Sequence, residues 1–384
     1  MENNYTQICE NKSWSLNGDE EDIGKKVLQF FQECSETATF GARLKRFIAK
    51  ECGVSEDSVP QYLKGRLQAE EIDMNSNTLR NWFSKAGPKK GDHSRDLMLR
   101  VAFALRLNVE QTNLLFQKVY LDRGLYPRRF EEYAAEFCLR EGLGWTVWQS
   151  LLKQYPSAEE ENEQTVYTRV LQQDLDGIKT PEEAAEYWKK HFHNFTIRNK
   201  SAREVLQNLV RKVKGNKDRT GEIDRELEGR NDKSDIWFEI LKGRPHDTYE
   251  AMVQVITELT PETQSNGKKS RSILKGTCLP HEIQTNFPEA SVFSKKEPSY
   301  EELRKMIILL GSYYLWRQAA RARARKILEL DVYIQEMNDR LNEAGLPPLY
   351  YGNPFDWLFL YSAKEEDPLA YFREVLAEAM DEKM

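Results

Sequence analysis

The chain has 384 residues, of which 40% are hydrophobic and 31% are charged, and its formal net charge is −6. These values are typical of a folded protein with two or three domains, and they exclude disorder throughout the chain. No apolar run approaches the roughly 20 residues that a membrane-spanning helix needs. The first residues, MENNYTQICENKSW, also lack the basic and then apolar pattern of a secretion signal. We therefore expect a cytoplasmic protein without a membrane partner.

Sequence motifs for catalysis and metal binding are missing. The chain contains no GxxxxGK[ST], GxGxxG, HExxH or GxSxG pattern. Its five cysteines are widely spaced, odd in number and without a CxxC pair, which argues against a disulfide framework and against a zinc site. We expect no enzyme, no catalytic residue, no metal ligand and no cofactor. The cysteines are Cys9, Cys34, Cys52, Cys138 and Cys278.

The first part of the chain predicts an N-terminal extension with one helix, over residues 1–36, and then a helical domain over residues 37–120. In the stretch FGARLKRFIAKEC, apolar residues recur at helical spacing, and Thr39 or Thr37 is a suitable N-cap. This stretch is the expected first helix of the domain. Its apolar residues are Phe40, Leu44, Phe47 and Ile48.

Three further helices are predicted between Asn75 and Val119. Ser76, Ser94 and Asn108 are the expected N-caps, and Gly87 with Pro88 ends the first of the three helices. The middle helix has apolar residues on most sides, which predicts that it is largely buried. Together these helices predict a compact helical domain.

The order of these segments resembles a known family. TLRNWFSKAG, followed by RDLMLRVAFALRLNVEQTNLLF, is similar to the recognition helix and the two following helices of lambda-repressor/Cro-like (XRE-type) helix-turn-helix proteins, particularly an uncharacterised Firmicutes group. The resemblance implies that residues 76–86 form the helix that reads the major groove. It implies base contacts by Asn77, Arg80 and Asn81, whose side chains suit adenine and guanine. The implied phosphate contacts are Arg43, Lys85, Lys89 and Lys90.

The stretch before Asn75, VPQYLKGRLQAEEIDM, departs from the family pattern. A small Ala and a tight, Gly-containing turn usually precede the recognition helix, and neither is evident here. Glu70, Glu71 and Asp73 would lie beside DNA, where like charges reduce affinity. The alternative function is therefore a helical adaptor or scaffold that keeps a degenerate form of this fold and binds another protein.

The distribution of charge favours the DNA-binding interpretation. Residues 76–130 contain eleven Lys or Arg and four Asp or Glu, whereas residues 1–39 contain three and eight. A basic segment within an acidic chain is typical of a DNA-binding module that is fused to other domains. Double-stranded DNA is the expected partner, and a protein partner and a homodimer are left open.

The remainder of the chain predicts a helical middle domain over residues 121–259, a basic linker over residues 260–299, and a C-terminal helical domain over residues 300–384. In the last domain Arg317, Arg321 and Arg325 recur every four residues and form one basic row. The aromatic segment 349–361 is expected to be a loop that docks on the helices before it. The predicted fold class is thus all-α, with an N-terminal helix-turn-helix-like domain, helical hairpins and a C-terminal helical domain.

Overall fold

A computed structural model describes residues distributed over most of the chain. Their regular elements are all helical, which confirms the predicted all-α class for this part of the chain. None of these helices is long and apolar enough to cross a membrane. The described residues are 27, 39–84, 87–88, 90–127, 129–154, 168–191, 200–215, 221–228, 230, 233–242, 248–260, 273–274, 277, 279–284, 287, 298–321 and 328–381.

The chain forms two compact units. The first unit comprises residues 38–88 and 92–200, and the second comprises residues 1–37, 89–91 and 201–384. These bounds differ from the predicted domains, because residues on both sides of the predicted linker share one core. Ile256 and Ile307 belong to that core, together with four buried residues from within the predicted linker. These four residues are Leu274, Leu279, Ile283 and Phe287.

The first unit contains nine helices within its described residues, and a short 3₁₀ turn, Glu56–Ser58, immediately precedes the second. A π-helical turn, Phe116–Tyr120, extends the fifth. The helices are α1 (Phe40–Cys52), α2 (Val59–Ala69), α3 (Ser76–Ser84), α4 (Asp92–Ala104), α5 (Val109–Leu115), α6 (Phe130–Arg140), α7 (Trp145–Gln154), α8 (Thr168–Gly177) and α9 (Pro181–His191).

Local capping chemistry explains where several of these helices begin. The Thr39 hydroxyl accepts a hydrogen bond from the backbone N–H of Ala42 at 3.2 Å, which confirms Thr39 as the N-cap of α1. Asn108 and Gln111 form a reciprocal capping box at the start of α5, as predicted for Asn108.

Two predicted N-caps are wrong. Before α3 the side chain of Asn75, one residue earlier than Ser76, accepts from the backbone N–H of Asn77 at 2.8 Å. The fourth helix already begins at Asp92, and Ser94 lies inside it. The buried Ser94 hydroxyl shares a 2.6 Å hydrogen bond with the Tyr120 hydroxyl, so it bonds within the core of the unit and does not cap the helix.

A buried ion network connects α4, the segment after α5, and α6. The Arg95 guanidinium donates to Glu132 at 2.7 and 2.8 Å, to Asp122 at 3.0 Å and to the Gly124 carbonyl at 2.9 Å. Arg129 also donates to Glu132, at 2.7 Å. Burial alone would raise the pKa of Glu132, but the charges of Arg95 and Arg129 lower it below its ordinary value. The network therefore keeps its carboxylate ionised inside the core.

The second unit also contains nine helices within its described residues. They are α10 (Lys200–Lys214), α11 (Glu222–Leu227), α12 (Ile236–Leu241), α13 (Tyr249–Thr257), α14 (His281–Gln284), α15 (Tyr300–Arg321), α16 (Leu330–Glu343), α17 (Pro354–Ser362) and α18 (Pro368–Asp381). The central helix is α15, which is buried along most of its length and packs against α16, α17 and α18.

The predicted aromatic loop is in fact mostly the helix α17. Its N-cap is Asn353, whose side chain accepts from the N–H of Phe355 at 3.0 Å, and Pro354 suits the first helical position because it has no N–H to satisfy. All nine residues of α17 are buried. Asp356 receives two hydrogen bonds from Arg304, at 2.8 and 2.6 Å, which fix α17 to α15.

The predicted basic row on α15 has partners within the second unit. Arg317 lies 3.4 Å from the carboxylate of Glu226, and Arg321 contacts that of Glu222. Both glutamates are buried on α11. The two arginines therefore neutralise buried charge within the protein, while Arg325 lies outside the described residues.

Candidate nucleic-acid interface

The three predicted base-reading residues lie on one exposed face of α3. Asn77, Arg80 and Asn81 are exposed, and Arg80 and Asn81 follow Asn77 by three and four residues, so both share a side of the helix with it. The opposite side carries Trp82, which is buried and packs edge-on against Phe40 of α1 with ring centres 5.3 Å apart. Thus α3 is held by its apolar side and presents its polar side to solvent.

The structure describes two of the four predicted phosphate contacts, Arg43 and Lys90. The Nε of Arg43 donates to the backbone carbonyl of Val119 at 3.0 Å, so this half-buried side chain connects α1 to the segment after α5. Lys90 has only 5% of its surface exposed and belongs to the second unit. A lysine with so little exposed surface does not present its ammonium group to a DNA backbone. Lys85 and Lys89 lie outside the described residues.

A different pair of helices has the short, glycine-containing turn that the family pattern requires. The helix α1 ends at Cys52, and Gly53 follows with a φ angle of 67°, a left-handed conformation that favours glycine. The backbone N–H groups of Gly53 and Val54 donate to the carbonyl of Ala49. Three residues, Gly53–Ser55, therefore separate α1 from the 3₁₀ turn that leads into α2.

Ser55 and Ser58 fix the start of the second helix of this pair. The backbone N–H and the hydroxyl of Ser58 both donate to the Ser55 carbonyl, at 3.0 and 2.8 Å. The Ser55 hydroxyl in turn donates to the Ser58 hydroxyl at 3.1 Å. Such side-chain bonds replace the missing helical partners at a helix start.

The α1–α2 pair buries one side and exposes the other. Its buried apolar residues all belong to the core of the first unit, namely Phe40, Leu44, Phe47 and Ile48 from α1 and Val59, Leu63 and Leu67 from α2. The side chains of Gln61, Lys64 and Gln68 on α2 are exposed, as are those of Arg46 and Lys50 on α1. The pair therefore offers a polar surface on two rigidly joined helices.

The sequence itself carries a signal for the turn between α1 and α2. The small residue and the turn glycine expected before Asn75 occur about one helix earlier, as Ala49 and Gly53 in FIAKECGVS. Apolar Ile48 and Val59 flank them. The spacing of Ala49 and Gly53 across the end of α1 is the feature that indicates the turn.

We expect glycine substitutions in the α1–α2 pair to have opposite effects on stability. Gly53→Ala should destabilise the first unit by about 1 kcal/mol, because a left-handed conformation disfavours any residue with a Cβ atom. Gly65→Ala should stabilise the unit by about 0.5–1 kcal/mol, because Gly65 lies inside α2. A Cβ atom meets nothing within 4 Å at either position, so crowding contributes to neither effect. Urea unfolding measures the free energy of unfolding of both variants. If both substitutions change it by the same amount, the left-handed conformation of Gly53 is contradicted.

The acidic residues before α3 differ in their environments. Glu70 accepts from Arg66 at 3.0 Å and from Arg106 at 2.7 Å, so its charge is neutralised locally. Glu71 and Asp73 are exposed, as are Glu56 and Asp57 at the start of α2. Residues 39–120 as a whole contain fourteen Lys or Arg and nine Asp or Glu. The region thus keeps a positive balance despite these carboxylates.

No protein-family model, curated protein or solved structure matches the chain. The described residues also contain no group of three or more side chains that would hold a metal ion.

Proposed function

We propose that the chain is a sequence-specific, double-stranded DNA-binding regulator in which α1 and α2 form a helix-turn-helix. The observation that carries the proposal is the three-residue connection Gly53–Ser55, with left-handed Gly53 bonded back to Ala49. Helix-turn-helix motifs join their two helices by such short, often glycine-containing turns. The proposal implies a cytoplasmic protein.

The exposed residues of the two helices have the chemistry that this mode of binding needs. In helix-turn-helix proteins the first helix crosses the backbone, and the N-terminal part of the second enters the major groove. Arg46 and Lys50 on α1 would contact phosphates. On α2, Gln61 suits adenine and Lys64 suits guanine. Glu56, at the helix start, suits the amino group of cytosine, so a carboxylate there is compatible with base reading.

The face of α3 is the other candidate for base reading. Asn77, Arg80 and Asn81 suit adenine and guanine equally well, but a helix-turn-helix that used α3 would need a tight turn before it. Six residues, 70–75, separate α2 from α3. We therefore propose α2 as the reading helix and α3 as a flanking surface.

Selection from random duplexes, followed by a mobility-shift assay, tests DNA binding. We expect one selected sequence, and an affinity that falls steeply with salt because phosphate contacts release counterions. A palindromic selected sequence would show that two copies bind together. Absence of both a selected sequence and a salt dependence would overturn the proposal.

Four single variants identify the reading helix. Gln61→Ala and Lys64→Ala should each weaken binding to the selected site by about 1–3 kcal/mol and relax the preference at one base pair. Arg80→Ala should change affinity without changing base preference, and Lys189→Ala, at an exposed position on α9, serves as the control. If Arg80→Ala relaxes a base position while both α2 variants do not, α3 is the reading helix.

A protein-binding adaptor is the second candidate, and one observation favours it. Ile236 and Phe238 on α12 are 50% and 38% exposed, and they are two of the three exposed large apolar side chains in the described part of the chain. Affinity purification from native cells separates the two functions. A stoichiometric protein partner, combined with retention on DNA-cellulose only below roughly 50 mM salt, would favour the adaptor.

A further inference from the structure

The second unit contains a cavity of about 790 Å³ that is lined by α10, α11, α15 and α16. We call it the α10–α16 cleft. Its volume lies in the range of roughly 300–1,000 Å³ that is typical of small-molecule sites. Unlike most such sites it is lined mainly by polar and charged side chains, so charge is the property that would select its ligand.

The helix α15 lies beneath this cleft, and α16 and α10 both contact one face of it, since Gly311, Tyr314 and Gln318 are three, four and seven residues apart. A Cβ atom at Gly311 would approach the Sδ of Met337 to 2.9 Å, so α16 packs closely against α15. The ammonium group of Lys212 on α10 lies 5.2 Å from the ring centre of Tyr314 on α15. Tyr314 and Gln318 of α15 therefore form the floor.

Part of the charge in the cleft is neutralised within the protein. Glu222 accepts from Gln318 at 2.9 Å and from Arg225 at 2.8 Å, and Arg321 also contacts it. Arg340 donates to Glu336 at 2.9 Å. These groups shape the site and are already paired.

Four other charged side chains of the cleft remain. Arg211 and Lys212 on α10 have no carboxylate partner in the part of the chain that the structure describes. In the same residues, Asp339 and Glu343 on α16 have no cationic partner. The cleft thus has a cationic wall and an anionic wall that do not neutralise each other. A concave site strengthens the potential of such groups, because its walls have a low dielectric constant.

We propose that the α10–α16 cleft binds a short peptide with free ends. The carboxylate terminus would pair with Arg211 and Lys212, and the ammonium terminus with Asp339 and Glu343. A cavity of about 790 Å³ is much larger than a single amino acid, which also carries both of its charges on one carbon. A short peptide separates the two charges, and because an extended chain covers about 3.3–3.6 Å per residue, the ends of a tetrapeptide lie roughly 10–14 Å apart.

Equilibrium dialysis of the full chain against defined mixtures tests this site. The probes are an equimolar tetrapeptide mixture with free ends, the same mixture acetylated and amidated at its ends, and the free amino acids. Mass spectrometry measures what the protein retains. We expect retention of free-ended tetrapeptides, at least tenfold less retention of the blocked mixture, and no retention of amino acids. Equal retention of the free and blocked mixtures, or of amino acids, would overturn the proposal.

Paired variants assign each end of the peptide to a wall. Arg211→Gln with Lys212→Gln should lower at least tenfold the preference for peptides with a free carboxylate terminus over peptides with an amidated one. Asp339→Asn with Glu343→Gln should lower at least tenfold the preference for a free ammonium terminus over an acetylated one. The controls are Lys189→Gln with Lys190→Gln, and Glu374→Gln, all at exposed positions outside the cleft. All four cleft positions are exposed as well, so the variants should fold, which urea unfolding verifies. If the variant with all four cleft substitutions retains as much free-ended peptide as wild type, the site is disproved.

Discussion

Replacing Arg95 with Met should lower the free energy of unfolding of the first unit by about 3–5 kcal/mol. The side chain of Arg95 is almost fully buried, and it bonds to Glu132 and Asp122 as well as to the Gly124 carbonyl. Its guanidinium also lies 4.3 Å from the ring centre of Phe116. Removal of Arg95 would take a buried ion partner from the Asp122 carboxylate and would leave Glu132 with Arg129 as its ion partner. An uncompensated buried charge is the most costly result of a single substitution in such a network.

The buried thiol of Cys138 provides a local measurement of this effect. Cys138 is fully buried in the core of the first unit, and burial raises the pKa of its thiol to about 12, so it is unreactive while the unit is folded. Labelling of Cys138 by a thiol reagent should therefore follow the fraction of unfolded molecules. We expect labelling to be roughly 10²- to 4 × 10³-fold faster in Arg95→Met, since each 1.4 kcal/mol is a factor of ten.

Arg106→Gln is the matched control for this prediction. Arg106 also forms an arginine–carboxylate pair, with Glu70 at 2.7 Å, but its side chain is 74% exposed. Exposed pairs typically contribute about 0–1 kcal/mol, so labelling of Cys138 should change less than about fivefold. If both variants label at the wild-type rate, the Arg95 network does not stabilise the unit.

Sequence reasoning succeeded where a few neighbouring residues decide the structure. Thr39 and Asn108 cap their helices because their side chains reach backbone groups only three residues away. The burial of α4 also follows from its own sequence, since its apolar residues occupy most of its faces. Such features require no knowledge of the rest of the chain.

The features that the sequence does not predict depend on residues that are far apart in the chain. The sequence shows Arg317 and Arg321 as a basic row, but it does not show their carboxylate partners on α11, which lie more than 90 residues earlier in the chain. The segment 354–362 is apolar on all sides, so it has no helical period that would distinguish a buried helix from a loop. The predicted linker is polar in composition, yet isolated residues such as Leu274 and Ile283 anchor it in the core of the second unit.

The candidate site was predicted only in part, for a related physical reason. Exposed Asn77, Arg80 and Asn81 have the residue types of a base reader, and sequence alone indicates this. The left-handed Gly53 ends α1 through a local bond to the Ala49 carbonyl, so the turn after α1 has a signal in the sequence. Residue types suit both α2 and α3 to base contacts, so the proposed choice of α2 depends on the length of the connection that precedes each helix.

Lys305 predicts an unusual dependence of stability on pH. Its side chain is completely buried on α15, where the ammonium group donates to the Glu282 carbonyl at 2.9 Å and lies 4.9 Å from the ring centre of Phe355. Burial lowers its pKa to about 8, although Glu301, 3.9 Å away, acts in the opposite direction. The folded chain therefore releases this proton more readily than the unfolded chain does.

The sign of the effect follows from proton binding. Between the folded pKa of about 8 and the ordinary value of 10.5, the unfolded state binds more protons than the folded state. Stability therefore rises with pH in this window, and Lys305 should contribute about 2 kcal/mol between pH 7 and pH 9.5. The buried tyrosines act in the opposite direction only above about pH 10, where unfolded tyrosine ionises. Measurements should accordingly stop at pH 9.5.

The comparison of wild type with Lys305→Met isolates this contribution. Urea unfolding followed by far-ultraviolet circular dichroism, at pH 7 and at pH 9.5, gives the free energy of unfolding of each protein. We expect wild type to gain about 2 kcal/mol relative to Lys305→Met between the two pH values. Other groups, such as the thiol of Cys138, titrate in both proteins and cancel in this difference. In Lys242→Met, where an exposed lysine 3.7 Å from Glu239 is removed, the pH dependence should remain that of wild type. Parallel pH profiles for wild type and Lys305→Met would show that the buried ammonium group stays protonated throughout this range, because Glu301 and the Glu282 carbonyl then offset the cost of burying its charge.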